Sequence, residues 1–280
     1  MKIGLIGCGN MARAMARGWG EPVLCFDPVS ERAEALARET GGEALDCGLE
    51  VAKRTDLLVL CHKPAQLESV AQELAPVAKA VASILAATPL SVLREAYPGV
   101  PVFRFLPSLP AEVRAGAIVK ALDSSGSSAR VAEAPDEGAL EAEALEAEAL
   151  EAEASAAEAV EAAVDELFGR LGVLVALDES LVDVAMGLMS CAPAYVALVA
   201  EAQVDAGVRR GIPPAQASAL VTETLAGTAE LLRRRGFDTL AVRREVTSPG
   251  GITARGLAAL EAGGIRAAFS DALDAVLGEQ

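Results

Sequence analysis

The chain has 280 residues, about two domains at the common size of roughly 150 residues each. Acids outnumber bases 40 to 24, for a net charge of −16, and 13 of the acids lie in residues 131–166, which contain no Lys or Arg. The acidity is therefore local. Without a basic excess, nucleic-acid binding is not expected, and since no apolar run is read as reaching about 18 residues, neither is a membrane span.

Residues 2–7 (KIGLIG) read as a strand ending in Gly, followed by a helix over 11–19. The glycines and Asn10 break any secretory apolar core, so this start is not read as a signal peptide. A second strand over 22–27 (PVLCFD) ends in an acid, and Ser30 is a candidate N-cap for a helix over 30–39. Further strands are predicted at 56–61, 81–86, 101–105 and 117–121, with helices at 66–79 and 91–96. Strands alternating with helices indicate βαβ units and a mostly parallel sheet, placed here in a first domain over 1–123. Residues 124–157 differ in kind: Ser, Gly and Ala dominate 124–129, and the pentad ALEAE occurs three times from Ala139. Five residues advance about 140° at 3.6 residues per turn, so Leu140, Leu145 and Leu150 form no stripe. The segment reads as an acidic insertion, either a solvated helical arm or a disordered spacer.

A second, helical domain is assigned to 158–280. It opens with an amphipathic helix over 158–170 and a strand over 172–176, then helical stretches at 179–208, 213–235, 252–262 and 265–277. The 179–208 stretch, interrupted at Pro193, is more apolar than a surface helix requires. It is read as buried between subunits of a homo-oligomer, at least a dimer through the helical domain. Five cysteines at 8, 25, 47, 61 and 191, with no C-x-x-C, suit reduced thiols in a cytoplasmic protein.

Gly7-Cys8-Gly9-Asn10-Met11-Ala12 follows a strand and opens a helix. The first Gly permits the tight turn, the second lets a pyrophosphate approach the backbone, and Ala12 stands where the third Gly packs helix on strand. The helix N-terminus offers N–H groups and partial positive charge. Asp27, at the end of the second strand, suits the ribose hydroxyls of NAD(H) and repels the extra phosphate of NADP(H). NAD(H) is thus slightly favoured, while Arg32 nearby keeps NADP(H) open. Lys63 and Pro64 follow the third strand at the carboxyl edge, where Lys63 is a cofactor-binding candidate. His62, the single histidine, is read as a strand-end residue without chemistry.

Taken together, the residues resemble the pyrroline-5-carboxylate reductase family. The opening G-x-G-N-M-A stands at 7–12, and the family's V-K-P appears as His62-Lys63-Pro64. R-x-M-P-N-x-P appears from Arg104 to Pro110, and S-G-S-G-P-A-Y from Met189 to Tyr195. D-A-G-V-x-x-G-[LI] is intact at Asp205–Ile212, V-x-S-P-G-G-x-T at Val246–Thr253, and G-L-x-x-L-E-x-G-G-x-R-x-A follows from Gly256. The resemblance implies an N-terminal Rossmann-type dinucleotide-binding domain followed by an all-α dimerisation domain. It implies NAD(P)H-dependent reduction of a cyclic imine, 1-pyrroline-5-carboxylate, to proline. Gly7, Gly9, Asn10, Met11, Asp27, Lys63, Pro64 and Ser108 would bind the cofactor. Ser190, Tyr195, Ser248, Gly250, Gly251 and Thr253 would bind the substrate, and Thr253 would be the catalytic residue, its hydroxyl at the ring nitrogen or carboxylate.

The chain departs from the family at Ser108, an Asn there, and at Met189, Cys191 and Ala192 in the pocket motif. A related imine reductase and a non-catalytic cofactor-binding protein therefore remain alternatives. The last Lys is Lys120, so the helical domain holds neither Lys nor His. Reduction of a ketone needs a proton donor, which related 3-hydroxyacid dehydrogenases and ketopantoate reductases take from a Lys there. A protonated imine is already a hydride acceptor and tolerates that absence.

Overall fold

Short apolar runs that end in polar turns become the strands of one sheet. The structure, a computed structural model, describes residues 1–123 and 140–278, with backbone alone for 140–153. The Ser/Gly stretch at 124–129 and the acids up to 139 lie outside the described residues. Two compact units are present, Met1–Ser190 and Cys191–Gln280.

In the first unit the strands are β1 (Ile3–Ile6), β2 (Leu24–Phe26), β3 (Glu43–Ala44), β4 (Leu57–Leu60), β5 (Val81–Ser83), β6 (Val102–Pro107), β7 (Gly116–Leu122) and β8 (Gly172–Asp178). Their order is β3-β2-β1-β4-β5-β6-β7-β8, and β6–β7 is the one antiparallel pairing. Every residue of β1 and β4 is buried, as expected of central parallel strands covered on both faces. The helices are α1 (Asn10–Trp19), α2 (Ser30–Thr40), α3 (Gly48–Arg54), α4 (Leu67–Leu74), α5 (Leu90–Ala96), α6 (Leu140–Gly169) and α7 (Val182–Ala185). The sequence reading missed β3 and α3. Two residues are too few to show a period, and GLEVAKR carries no side-chain N-cap.

The expected boundary at 123 does not coincide with that of the compact units. β8 pairs in parallel with β7 along all seven of its residues, so 172–178 completes the first unit's sheet. The last turns of α6 explain why. Val160, Val164, Leu167 and Phe168 recur on one helical face and, with Leu171 just past the helix end, pack into the main core. The Phe168 ring stacks on Phe105 at 3.9 Å and meets Trp19 edge-on at 5.8 Å, while Trp19 Nε1 donates to the Leu167 carbonyl. The repeat upstream lacks this spacing, yet its backbone is helical from Leu140, the helical arm of the two expected states.

A second anchor ties the end of this unit to the sheet. Arg104 on β6 is 5% exposed and pairs with Glu179 at 2.9 Å and Asp183 at 3.5 Å. Glu179 Oε1 also accepts from the Leu90 N–H at 2.7 Å.

The second unit holds α8 (Ala192–Val208), α9 (Pro214–Arg234), α10 (Thr239–Glu245), α11 (Ile252–Ala262) and α12 (Ile265–Leu277). α10 was unforeseen, although Asp238 caps it by accepting from the N–H groups of Leu240 and Ala241. The run Glu179–Val208 is long and apolar enough, by length and composition, to cross a membrane, and little of it is buried within the chain. This corrects the expectation that no such run exists: single charges interrupt the apolar letters without lowering the average enough. Replacing Glu179 with Ala leaves the buried guanidinium with only the longer pair to the exposed Asp183 carboxylate, and leaves the Leu90 N–H without its acceptor. Glu179→Ala should therefore cost about 3 kcal/mol and lower the melting temperature by several degrees, measurable by calorimetry.

Candidate functional site

Register places the site. Ile6 lies opposite both Phe26 and Leu60, so β1, β2 and β4 end at one level. Gly7 N–H donates to the Phe26 carbonyl at 2.8 Å, and Cys61 N–H to the Ile6 carbonyl at 2.8 Å. Gly7 has φ +99, and a Cβ there would sit 2.8 Å from the Cys61 carbonyl carbon and oxygen, so both conformation and space demand glycine. At Gly9 a Cβ would meet nothing within 4 Å, which leaves the approach to the α1 N-terminus open. No side chain caps that end and no acid stands in its first turn, so its N–H groups and positive end are available to an anion. Ala12 is buried in the core, where the close-packing position of the motif belongs.

A cleft of about 400 Å³ borders this turn, lined among others by Gly7, Gly9, Asp27, Arg32, His62 and Lys63. Asp27 is 8% exposed. One carboxylate oxygen accepts from Cys8 N–H at 2.8 Å and the other from Val29 N–H at 2.9 Å. The residue expected to meet a ribose thus also pins the glycine turn to the end of β2; a carboxylate has lone pairs left for a hydroxyl. Gln66 was overlooked at the sequence level. It stands three residues after Lys63, the reciprocal position of a capping box, and its Oε1 accepts the Lys63 N–H at 3.2 Å. A dinucleotide fits: open space before a helix N-terminus, glycines where backbone must be approached, and a carboxylate at the second strand's end.

The other expected cofactor residues are not in the lining of this cleft. Asn10 is exposed at the start of α1, Met11 packs partly against the core, and Pro64 is exposed. Ser108 is 3% exposed, and its hydroxyl accepts from Ala117 N–H at 2.9 Å, so it serves the β6–β7 connection. Ser190 closes a π-helical turn, Met186–Ser190, and its hydroxyl donates to the Pro107 carbonyl at 3.3 Å at the end of β6. Three strand spacings separate β1 from β6, about 14 Å along the carboxyl edge. Met189 packs against the cluster of Leu90, Val119, Ala121, Val182 and Ala185, so its departure from the family motif is accounted for by packing.

In the second unit, Gly251 is the N-cap of α11 and its N–H donates to the Ser248 carbonyl at 3.0 Å. Gly250 has φ +69, and a Cβ on Gly251 would lie 2.3 Å from Ser248 Oγ. No side chain caps α11 and its first turn has no acid. Thr253 lies one residue inside the helix, half-buried, and is not the cap. Partial desolvation and the adjacent Cys191 raise the Tyr195 phenol above its ordinary value, keeping it a donor at neutral pH.

Comparison with known proteins identifies the family. The pyrroline-5-carboxylate reductase dimerisation family matches residues 179–279, and the family described as NADP oxidoreductase, coenzyme F420-dependent, matches residues 2–87. The pyrroline-5-carboxylate reductase of Thermus thermophilus is 34% identical, over 98% of this chain and 95% of its own length. That of Synechocystis is 30% identical over the same shares. The chain belongs to the pyrroline-5-carboxylate reductase family. Among solved structures, the Streptococcus pyogenes 1-pyrroline-5-carboxylate reductase superposes with a TM-score of 0.77 at 25% identity, covering 100% of this chain and 97% of the other. The Plasmodium falciparum pyrroline carboxylate reductase, solved with NADP bound, shares the fold at a TM-score of 0.77 and 23% identity, covering 99% and 95%.

Since Asp27 holds the turn itself, Asp27→Ala should weaken both cofactors in a fluorescence titration, NADH by about tenfold or more, because a hydrogen bond to a charged group is worth about 1.5–3 kcal/mol. NADPH should lose less, because the carboxylate that repels its extra phosphate is gone, so the preference for NADH falls.

Proposed function

We propose that this chain reduces 1-pyrroline-5-carboxylate to L-proline with NADH or NADPH, NADH being preferred. The observation that carries the reading is the loop Ser248–Thr253. It holds the family's sequence intact and ends at an uncapped helix N-terminus of the kind that receives a carboxylate. A reduced nicotinamide, when bound, supplies the hydride. The protein's own part is positioning. The glycine turn and the α1 N-terminus hold the pyrophosphate, Asp27 takes the ribose, and Lys63 lies on the opposite wall. In the second unit, the backbone of Ser248, Gly250 and Gly251 receives the substrate carboxylate. The Thr253 hydroxyl donates to that carboxylate or contacts the ring nitrogen, and Tyr195 offers a further donor. In the first unit, Ser190 and Ser108 stand at the end of β6, on the nicotinamide side of the sheet edge. No Lys or His follows Lys120, which suits a substrate that needs no proton on oxygen.

Asp27 supports the NADH preference by repelling an added phosphate; Arg32 on the same cleft keeps NADPH usable. We also propose a homodimer through the helical unit. Among the described residues of that unit, only Ala217 and Val242 are buried hydrophobics, while Leu198, Leu220, Leu260 and Phe269 are exposed. Apolar surface of this extent calls for a partner, and the dimerisation family covers these residues. The same pairing provides a cover for Glu179–Val208 without lipid. Five free thiols suit a reducing compartment such as the cytoplasm.

Mixing the protein with 1-pyrroline-5-carboxylate should oxidise both cofactors, NADH with the higher kcat/KM; no turnover with either would overturn the reading. Thr253→Val should lower kcat/KM for the imine by about 10- to 100-fold with unchanged NADH affinity. Leu198→Asp should shift the protein from dimer to monomer in sedimentation.

A further inference from the structure

One wall of the dinucleotide cleft is the glycine turn and Asp27; the other is Cys61, His62, Lys63, Gln66 and Val70. His62 stands where the family motif has Val. Its ring is fixed from one side. The Lys63 carbonyl accepts from Gln66 N–H at 2.9 Å and lies 2.9 Å from His62 Nδ1. A carbonyl can only accept, so Nδ1 carries the proton and Nε2 presents a lone pair. That Nε2 is shielded from water and has no hydrogen-bond partner. Buried polar atoms are partnered in the great majority of cases, so an unmatched acceptor on a residue that lines the cleft marks the place of a missing donor, which a ligand reaches once the ring turns slightly toward the cleft. Burial holds the ring below its ordinary value, against the opposing pull of the Lys63 carbonyl, so it is neutral at neutral pH.

The neighbours leave that position unfilled. Asp27 accepts from the Cys8 and Val29 N–H groups and makes no bond to Nε2. Arg32 and Lys63 line the cleft without bonding Nε2, and burial raises the Cys61 thiol, so it stays protonated. The cleft lies between the ends of β2 and β4, on the Asp27 side of the turn, which is the side of the cofactor's adenosine half.

We propose that His62 is a specificity-determining residue of the dinucleotide site, its Nε2 accepting a hydrogen bond from the adenosine half of the cofactor. The donor is the exocyclic amine of the base or a ribose hydroxyl. This rests on the dinucleotide-binding part of the function proposed above.

The test is a fluorescence titration of the full chain with NADH and with its hypoxanthine analogue, in which a carbonyl replaces the amine. His62→Val should raise the Kd for NADH about three- to tenfold, the worth of one net hydrogen bond. His62→Gln, whose Oε1 can stand in for Nε2, should remain within about twofold of the native protein on the same scale. A loss seen with NADH but not with the analogue assigns the amine, and an equal loss with both assigns a ribose hydroxyl. Thermal melting checks that each variant is folded, and His62→Leu replaces His62→Val should the latter not fold. An unchanged Kd in the apolar variant, or an equal loss in His62→Gln, overturns the proposal. Native protein that binds neither cofactor overturns the dinucleotide reading itself. Native protein that binds NADH without reducing 1-pyrroline-5-carboxylate overturns the reaction and leaves the His62 assignment standing.

Discussion

Three parallel strands, β1, β2 and β4, finish at the same level, and the chemistry of the first unit hangs on that register. The alignment lets Gly7 donate to the end of β2 while Cys61 donates to the end of β1. It also brings the Asp27 carboxylate within reach of the Cys8 N–H. A slip of one residue would turn every side chain on one of these strands to the other face, and would separate the groups that shape the turn. The buried residues of β1 and β4 resist such a slip, because each is packed on both faces. Core packing and site geometry are here the same constraint seen from two ends of a strand.

The other end of the sheet is held differently. β8 is laid beside β7 by a helix whose last turns drive Phe168 between Trp19 and Phe105. Beyond it, Arg104 gathers Glu179 and Asp183 in a nearly dry position. A buried guanidinium is costly unless well paired, so it fixes where the chain can run as it leaves β8. The π-helical turn at Met186–Ser190 follows directly, and its final hydroxyl reaches the end of β6. Ser190, a candidate site residue that reads in the sequence as part of the helical domain, therefore owes its place to the sheet.

The two helix starts that the proposed function uses share a feature. Both α1 and α11 begin at a glycine, with no side-chain cap and no acid in the first turn. Ordinary helices gain stability from capping side chains. α12 starts in the same way at Gly264, so the bare start leaves N–H groups free without by itself selecting an anion; what sets α1 and α11 apart is the motif that leads into each, Gly7–Ala12 and Val246–Thr253.

Much of this was legible in the sequence because it is local. The strand–glycine–helix opening, the acid ending β2 and the intact 246–253 motif are contiguous patterns with a direct physical meaning. So are the apolar runs that became β1, β4, β5 and β7. The absence of Lys and His after residue 120 is likewise a fact of composition, and it narrows the chemistry without any coordinates. What the sequence did not decide depends on contacts between distant residues. Whether β8 joins the sheet or the helices turns on Phe168 meeting Phe105, a residue far back along the chain on β6. Whether Ser108 faces a ligand or a backbone amide turns on where Ala117 lies in the next strand. Asp27 reads as a ribose ligand from its position alone, and only the fold reveals that both its oxygens also hold backbone amides. His62 is a lone letter in a motif until the Lys63 carbonyl fixes its proton on one nitrogen and burial strips water from the other. Local pattern sets which elements form, whereas burial and partner choice belong to the packed structure, because desolvation is a property of the neighbours and not of the residue.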